Sequence, residues 1–138
     1  MKKLVADAGL HEHIHVESAA TGDWHVGQLA DPRTRATAQK RGIELTSRAQ
    51  LFATEFFDRF DWVLPVDASN HATLLRLARH DGDRGKIRLL RDFDAAAPPR
   101  SDVPDPYHGG AEGFEQVFDL CEAACRGLLD ELRKSLPR

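Results

Sequence analysis

An aspartate held between two prolines is the first feature of this 138-residue chain with a chemical use: Val103-Pro104-Asp105-Pro106-Tyr107-His108-Gly109-Gly110. Proline fixes its own φ, so Asp105 sits on stiffened backbone ahead of aromatics and a glycine pair. A carboxyl group so placed suits a proton donor; an ordinary turn has the same composition. A second cluster is Ser18-Ala19-Ala20-Thr21, followed by Trp24. It follows an expected strand, and open α/β sheets bind ligands at the carboxyl ends of strands. Trp24 there either lines a pocket for a flat substrate or packs half-buried against its loop. Asp67 and Asn70 close a second expected strand, where they either hold a neighbouring loop or cap a helix.

Two further groups have metal or thiol chemistry. His11, His13 and His15 alternate, and three imidazoles on one strand face would suit Zn²⁺ or Ni²⁺. A polar, exposed strand face accounts for them equally, and no metal or cofactor is expected. Cys121 and Cys125 stand four apart on an apolar helix stripe, which makes them core residues and not a disulfide framework.

These residues need elements to position them. Lys2 to Ala8 reads as a short helix stopped by Gly9, and Asp31-Pro32 opens a helix that runs to about Arg41 before Gly42. Polar and apolar residues alternate from His13 to Ser18, which predicts a strand with Ile14 and Val16 on one face. Thr54 suits a cap for a short turn through Phe57. Trp62 to Val66 is nearly all apolar, as in a buried parallel strand, although Pro65 removes one donor. Asp67 or Ser69 caps a helix carrying Leu74, Leu75, Leu77 and Ala78. Lys86 to Leu90 is a short strand. From Glu112, the residues Phe114, Val117, Phe118, Cys121, Cys125, Leu128, Leu129 and Leu132 give a long amphipathic helix. Alternating strands and helices predict one α/β domain over residues 1–138, a three-layer sandwich with a mostly parallel sheet.

Composition excludes some functions. The net charge is −3, which argues against a dedicated nucleic-acid binder. The longest apolar runs fall far short of the ~20 residues that span a bilayer. No charged-then-apolar leader opens the sequence, so a cytoplasmic protein with no membrane partner is expected.

Taken together, the chain resembles the low-molecular-weight protein tyrosine phosphatases. The resemblance rests on Ser18-Ala19-Ala20-Thr21 with Trp24, Asp31-x-Arg33, Gly42-Ile43-x-Leu45, Phe60-Asp61-Trp62-Val63-Leu64, Asp67-x-x-Asn70, Lys86-Ile87-x-Leu89-Leu90 and Asp105-Pro106-Tyr107. It implies hydrolysis of phosphotyrosine or aryl phosphate monoesters through a phosphocysteine. Asp105 would be general acid and then general base. Trp24, Tyr107 and His108 would form the substrate rim, with His108 standing where the family often has a second tyrosine. Ser18, Asp67 and Asn70 would support the phosphate loop. Gln50 and Phe56 replace an arginine and an aspartate usual in the family, which predicts a looser scaffold around the site.

That family's nucleophile lies in a Cys-x5-Arg loop, and these 138 residues contain none. The residue six after Cys121 is Gly127, and six after Cys125 is Glu131. The family's first strand, phosphate loop and start of the first helix all precede the segment matching Lys2 to Gly9. The expectation is a chain with its central strand missing and no turnover of its own. The family sheet has order 2-1-3-4, so the segments at His13 to Ser18 and Trp62 to Val66 would each lose a partner. Unpaired buried backbone groups cost about 1–3 kcal/mol each, against a net stability of ~5–15 kcal/mol. The two segments should therefore pair with each other, take a strand from a second copy in a strand-exchanged homo-oligomer, or leave the domain marginal. Three readings follow: a phosphatase whose start is placed too late, an inactive phosphatase-like binding module or partner of a full-length relative, and a metal- or small-ligand-binding α/β protein using the histidines.

Overall fold

The computed structural model describes residues 1–22, 26–105 and 111–136. Trp24, Tyr107 and His108, the three expected rim residues, lie outside the described residues.

Three of the described helices begin where the sequence supplies a side-chain cap. α1 (Lys2–Asp7) and α2 (Pro32–Lys40) are followed by Gly9 at φ 71° and Gly42 at φ 75°. Both glycines turn the chain through the left-handed region that a side chain disfavours. Asp31 caps α2, its carboxylate accepting the Arg33 N–H at 2.8 Å, with Pro32 in the first turn. α3 (Phe56–Arg59) lies beyond the turn at residues 54–55 and has no side-chain cap. Asp67, not Ser69, caps α4 (Ala68–Leu77), accepting the Asn70 N–H at 2.7 Å. α5 (Asp81–Arg84) is a single turn that the apolar pattern does not signal.

Between these helices run extended segments joined by few hydrogen bonds. Residues 62–66 lie parallel to residues 86–90. Val63 N–H donates to Lys86 at 2.9 Å, Arg88 N–H to Val63 at 3.0 Å, and Leu90 N–H to Pro65 at 2.9 Å. The expected strand at Lys86 ends early, because Leu90–Phe93 turns into a 3-10 helix. Ala20 pairs in parallel with Leu51. The expected strand at His13 also starts late: residues 11–13 form a turn closed by His13 N–H on Leu10, and extended chain begins after it. His11, His13 and His15 therefore do not share one strand face. Among the described residues, no group of three or more His, Cys, Asp or Glu is placed to hold a metal ion.

Side chains of 62–66 alternate between two cores. Val63 packs with Phe57, Leu74 and Ile87 on the α4 side. Trp62 and Leu64 pack against Leu90, Ala124, Cys125 and Leu128 on the other. The last three belong to α6 (Ala111–Lys134), whose buried residues Phe114, Ala124, Cys125, Leu128 and Leu129 follow helical spacing. Extended chain thus separates α4 from α6, the layering expected of an α/β sandwich. α6 meets the 3-10 turn closely at Gly127, where a Cβ would lie 1.8 Å from the Phe93 carbonyl oxygen. Arg41 ties α2 to α6 through Glu115 at 2.5 Å and Asp119 at 3.0 Å, with its guanidinium over the Phe118 ring. Among the described residues, no helix is long and apolar enough to cross a membrane.

The segments 14–19 and 62–66 do not pair with each other. Between them lies a groove of about 570 Å³, floored by Leu128 and Leu132 of α6 and lined along its sides by both segments.

Candidate active site

The ends of the two extended segments, and the loop that carries Asp105, build the site. Residues 101–105 are stitched to the carboxyl end of 62–66. Val103 N–H donates to the Val66 carbonyl at 2.7 Å. The Asp102 carboxylate accepts the Ala68 N–H at the start of α4 at 3.0 Å, and its carbonyl accepts Arg91 Nη1 at 2.8 Å. Val103 also packs against the α6 core. Asp105, two residues further on, is exposed to water. The residues just before it are thereby held at the carboxyl end of segment 62–66, the end where ligands of open α/β folds bind.

Ser18 and Asn70 line opposite sides of the groove mouth. Asp67 does not reach into that groove; its carboxylate holds the Asn70 N–H and so fixes the first turn of α4. Of the residues expected from sequence, the structure brings Ser18 and Asn70 to one cavity. It puts Asp67 behind Asn70, and Asp105 on the adjoining pinned loop.

Gln50 and Phe56 both make defined contacts in this region. Gln50 Nε2 donates to the Ser18 carbonyl at 2.8 Å, and the Gln50 carbonyl accepts the Ala20 N–H, also at 2.8 Å. A neutral amide can donate and accept at once, so it clamps the end of segment 14–19 without a charge. Phe56 stands edge-on to Phe52 and Phe60 at 5.4 and 5.9 Å, and carries the Arg59 guanidinium over its ring. Phe56 forms an apolar wall of the groove with Phe52 and Phe60. Sequence reasoning missed both roles; the run Phe52, Phe56, Phe57, Phe60 was the available signal.

Asp83 and Asp58, the carboxylates paired on Arg79, do not line the groove. Asp83 is buried, its side chain 2% exposed, and accepts the Arg79 N–H at 3.0 Å and Arg79 Nε at 2.8 Å. The Arg79 bonds hold its pKa down to about 2. Asp58, paired with the same guanidinium at 2.7 Å, is also lowered. Neither cysteine resembles an activated thiol. Cys125 is core, and burial pushes the Cys121 thiol up.

Comparison with known proteins agrees with this architecture. The family model described as "Low molecular weight phosphotyrosine protein phosphatase" matches residues 1–138. A low molecular weight protein-tyrosine-phosphatase of Streptomyces coelicolor is 44% identical over 133 residues, covering 96% of this chain and 81% of the relative. The pig low molecular weight phosphotyrosine protein phosphatase is 33% identical, covering 96% and 83%. Among solved structures, a protein tyrosine phosphatase from Entamoeba histolytica superposes with a TM-score of 0.90 at 33% identity, over 96% of this chain and 84% of that one. The chain belongs to the low molecular weight phosphotyrosine protein phosphatase family.

Proposed function

We propose that the chain carries the acid-base and rim half of a phosphotyrosine phosphatase site, and that the nucleophile enters on a strand and Cys-x5-Arg loop outside these 138 residues. In this chemistry a thiolate attacks phosphorus and the bond from phosphorus to the aryl oxygen breaks. Asp105 gives its proton to that oxygen as it leaves. The Asp105 carboxylate then takes a proton from water, whose oxygen attacks phosphorus and displaces the thiolate as phosphate departs. A phenolate has a conjugate-acid pKa near 10, so protonation at departure is worth having. Trp24, Tyr107 and His108 flank the aryl group, and Ser18 and Asn70 steady the phosphate loop from either side of the groove.

The observation that carries this reading is the pinning of loop 101–105 to Val66 and Ala68. That anchorage fixes the backbone two residues ahead of Asp105 to the carboxyl end of segment 62–66, which supports a positioned acid at this end of the fold. The test extends the chain ahead of Met1 by a strand and a Cys-x5-Arg loop and follows para-nitrophenyl phosphate hydrolysis. The extended chain should turn over, and Asp105→Asn in it should lower kcat by about 10²–10³. The 138 residues by themselves should match the blank. Equal rates for the extended chain with and without the Asp105→Asn change would remove Asp105 from the role.

A further inference from the structure

We infer that Arg91 is a positioning residue for Asp105, acting through the peptide unit that joins Asp102 to Val103. The inference deepens the reading of Asp105 as proton donor and rests on it. That peptide unit is gripped at both ends. Its carbonyl, on Asp102, accepts Arg91 Nη1 at 2.8 Å, and its N–H, on Val103, donates to the Val66 carbonyl at 2.7 Å. The C=O and N–H of a trans peptide leave one plane in opposite directions. Two bonds on opposite sides therefore fix its tilt, whereas a single bond would let it rock. A stiff lever follows. Val103 precedes proline, Pro104 has its φ locked, and Asp105 again precedes proline. Few free torsions remain between the gripped plane and the Asp105 carboxyl, so the tilt that Arg91 sets is passed on to it.

The turn that carries Arg91 is itself braced. Leu90 N–H ties it to the Pro65 carbonyl at 2.9 Å, and Gly127 of α6 backs it at the Phe93 carbonyl. The neighbouring Asp92 carboxylate accepts the Arg100 N–H at 3.1 Å, and Arg100 stands at φ 59°, in the left-handed region. A non-glycine residue held there is strained, and such strain persists where surrounding bonds over-determine the backbone. Arg91 also carries a cost. Its Nε is buried and, among the described residues, finds no acceptor. An orphan donor of this kind opposes folding, so the stability of the fold does not account for Arg91, whereas the grip on Asp102 does.

The experiment has two arms. The first follows backbone amide exchange in the 138-residue chain. Arg91→Ala gives up an unpaired Nε and one bond to an exposed residue, so the Val63 and Arg88 amides should exchange as in the parent. The Val103 amide should exchange about 10-fold faster. Arg91→Lys keeps a donor on a long stem and should restore most of that protection. Unchanged Val103 exchange in Arg91→Ala would overturn the inference, and so would equal loss of protection at Val63 and Arg88. The second arm uses the chain extended by a strand and a Cys-x5-Arg loop, and compares kcat/KM for phenyl phosphate and dinitrophenyl phosphate. Phenolate, with a conjugate-acid pKa near 10, needs a proton as it leaves, whereas dinitrophenolate departs without one. Arg91→Ala should lower the phenyl phosphate value by about 10-fold or more and the dinitrophenyl value by less than about 3-fold. Arg91→Lys should fall between parent and alanine. A merely structural role would lower both esters alike; that result, or no loss with phenyl phosphate, would overturn the inference. An extended parent chain that hydrolyses neither ester, beside a Val103 amide that responds to Arg91, would sink the phosphatase reading while the grip on the loop stands.

Discussion

Single residues set two sharp expectations. Gly127 packs its bare α-carbon against the Phe93 carbonyl, so Gly127→Ala must push α6 off the 3-10 turn. In an exposed helix this change stabilises by about 1 kcal/mol; here it should destabilise by about 1–3 kcal/mol in urea unfolding. Asp83 gives a pH signature. Its folded pKa, held to about 2 by Arg79, lies below the unfolded value near 3.8. The stability it contributes is therefore present above about pH 4 and is lost as pH falls toward 2. Asp83→Asn should lower Tm at pH 7 and flatten the acid limb of Tm against pH between about 4 and 2. An unchanged acid limb would mean Asp58 carries that titration. Neither feature was visible in the sequence. Gly127 sits at an ordinary helical position, and the Arg79–Asp83 pairing arises from a one-turn helix with no apolar pattern.

Elements were legible where the local chemistry is self-contained. Asp31-Pro32 announced α2, Gly9 and Gly42 announced two stops, and the stripe from Phe114 to Leu132 announced α6. Each of these signals is settled within a turn of chain. Choosing between Asp67 and Ser69 as the α4 cap was not possible locally, because both are good acceptors and only the path of residues 62–66 selects one. Asp67→Ala should cost α4 about 1 kcal/mol. It should also free the Asn70 N–H at the groove wall, measured as faster exchange of that amide. The extended segments were read correctly as extended, but their ladders were not. Whether a segment becomes a bonded strand depends on what lies beside it, which no window of residues contains. Segment 14–19 alternates as a strand should, with Ile14 and Val16 less exposed than His15 and Glu17, yet among the described residues no backbone bond joins it to the segment across the groove.

At the scale of the molecule, family membership and layering were legible from dispersed matches such as Asp105-Pro106-Tyr107 and Phe60-Asp61-Trp62. The expected choice among repacking, strand exchange and marginal stability needed the structure. The two segments do not bond to one another; the cores pack on residues 62–64, and Gln50 clamps Ser18. Among the described residues, the Leu64 and Ala19 N–H groups have no backbone acceptor, so one edge of each segment should be unprotected while its other edge is bonded. Backbone amide exchange resolves this residue by residue. In the free chain, the Leu64 and Ala19 amides should exchange at least about 10²-fold faster than those of Val63 and Arg88, whose bonds run to the opposite edge. Protection of Leu64 and Ala19 equal to that of Val63 and Arg88 would show the groove already filled by the chain itself, and would contradict the account.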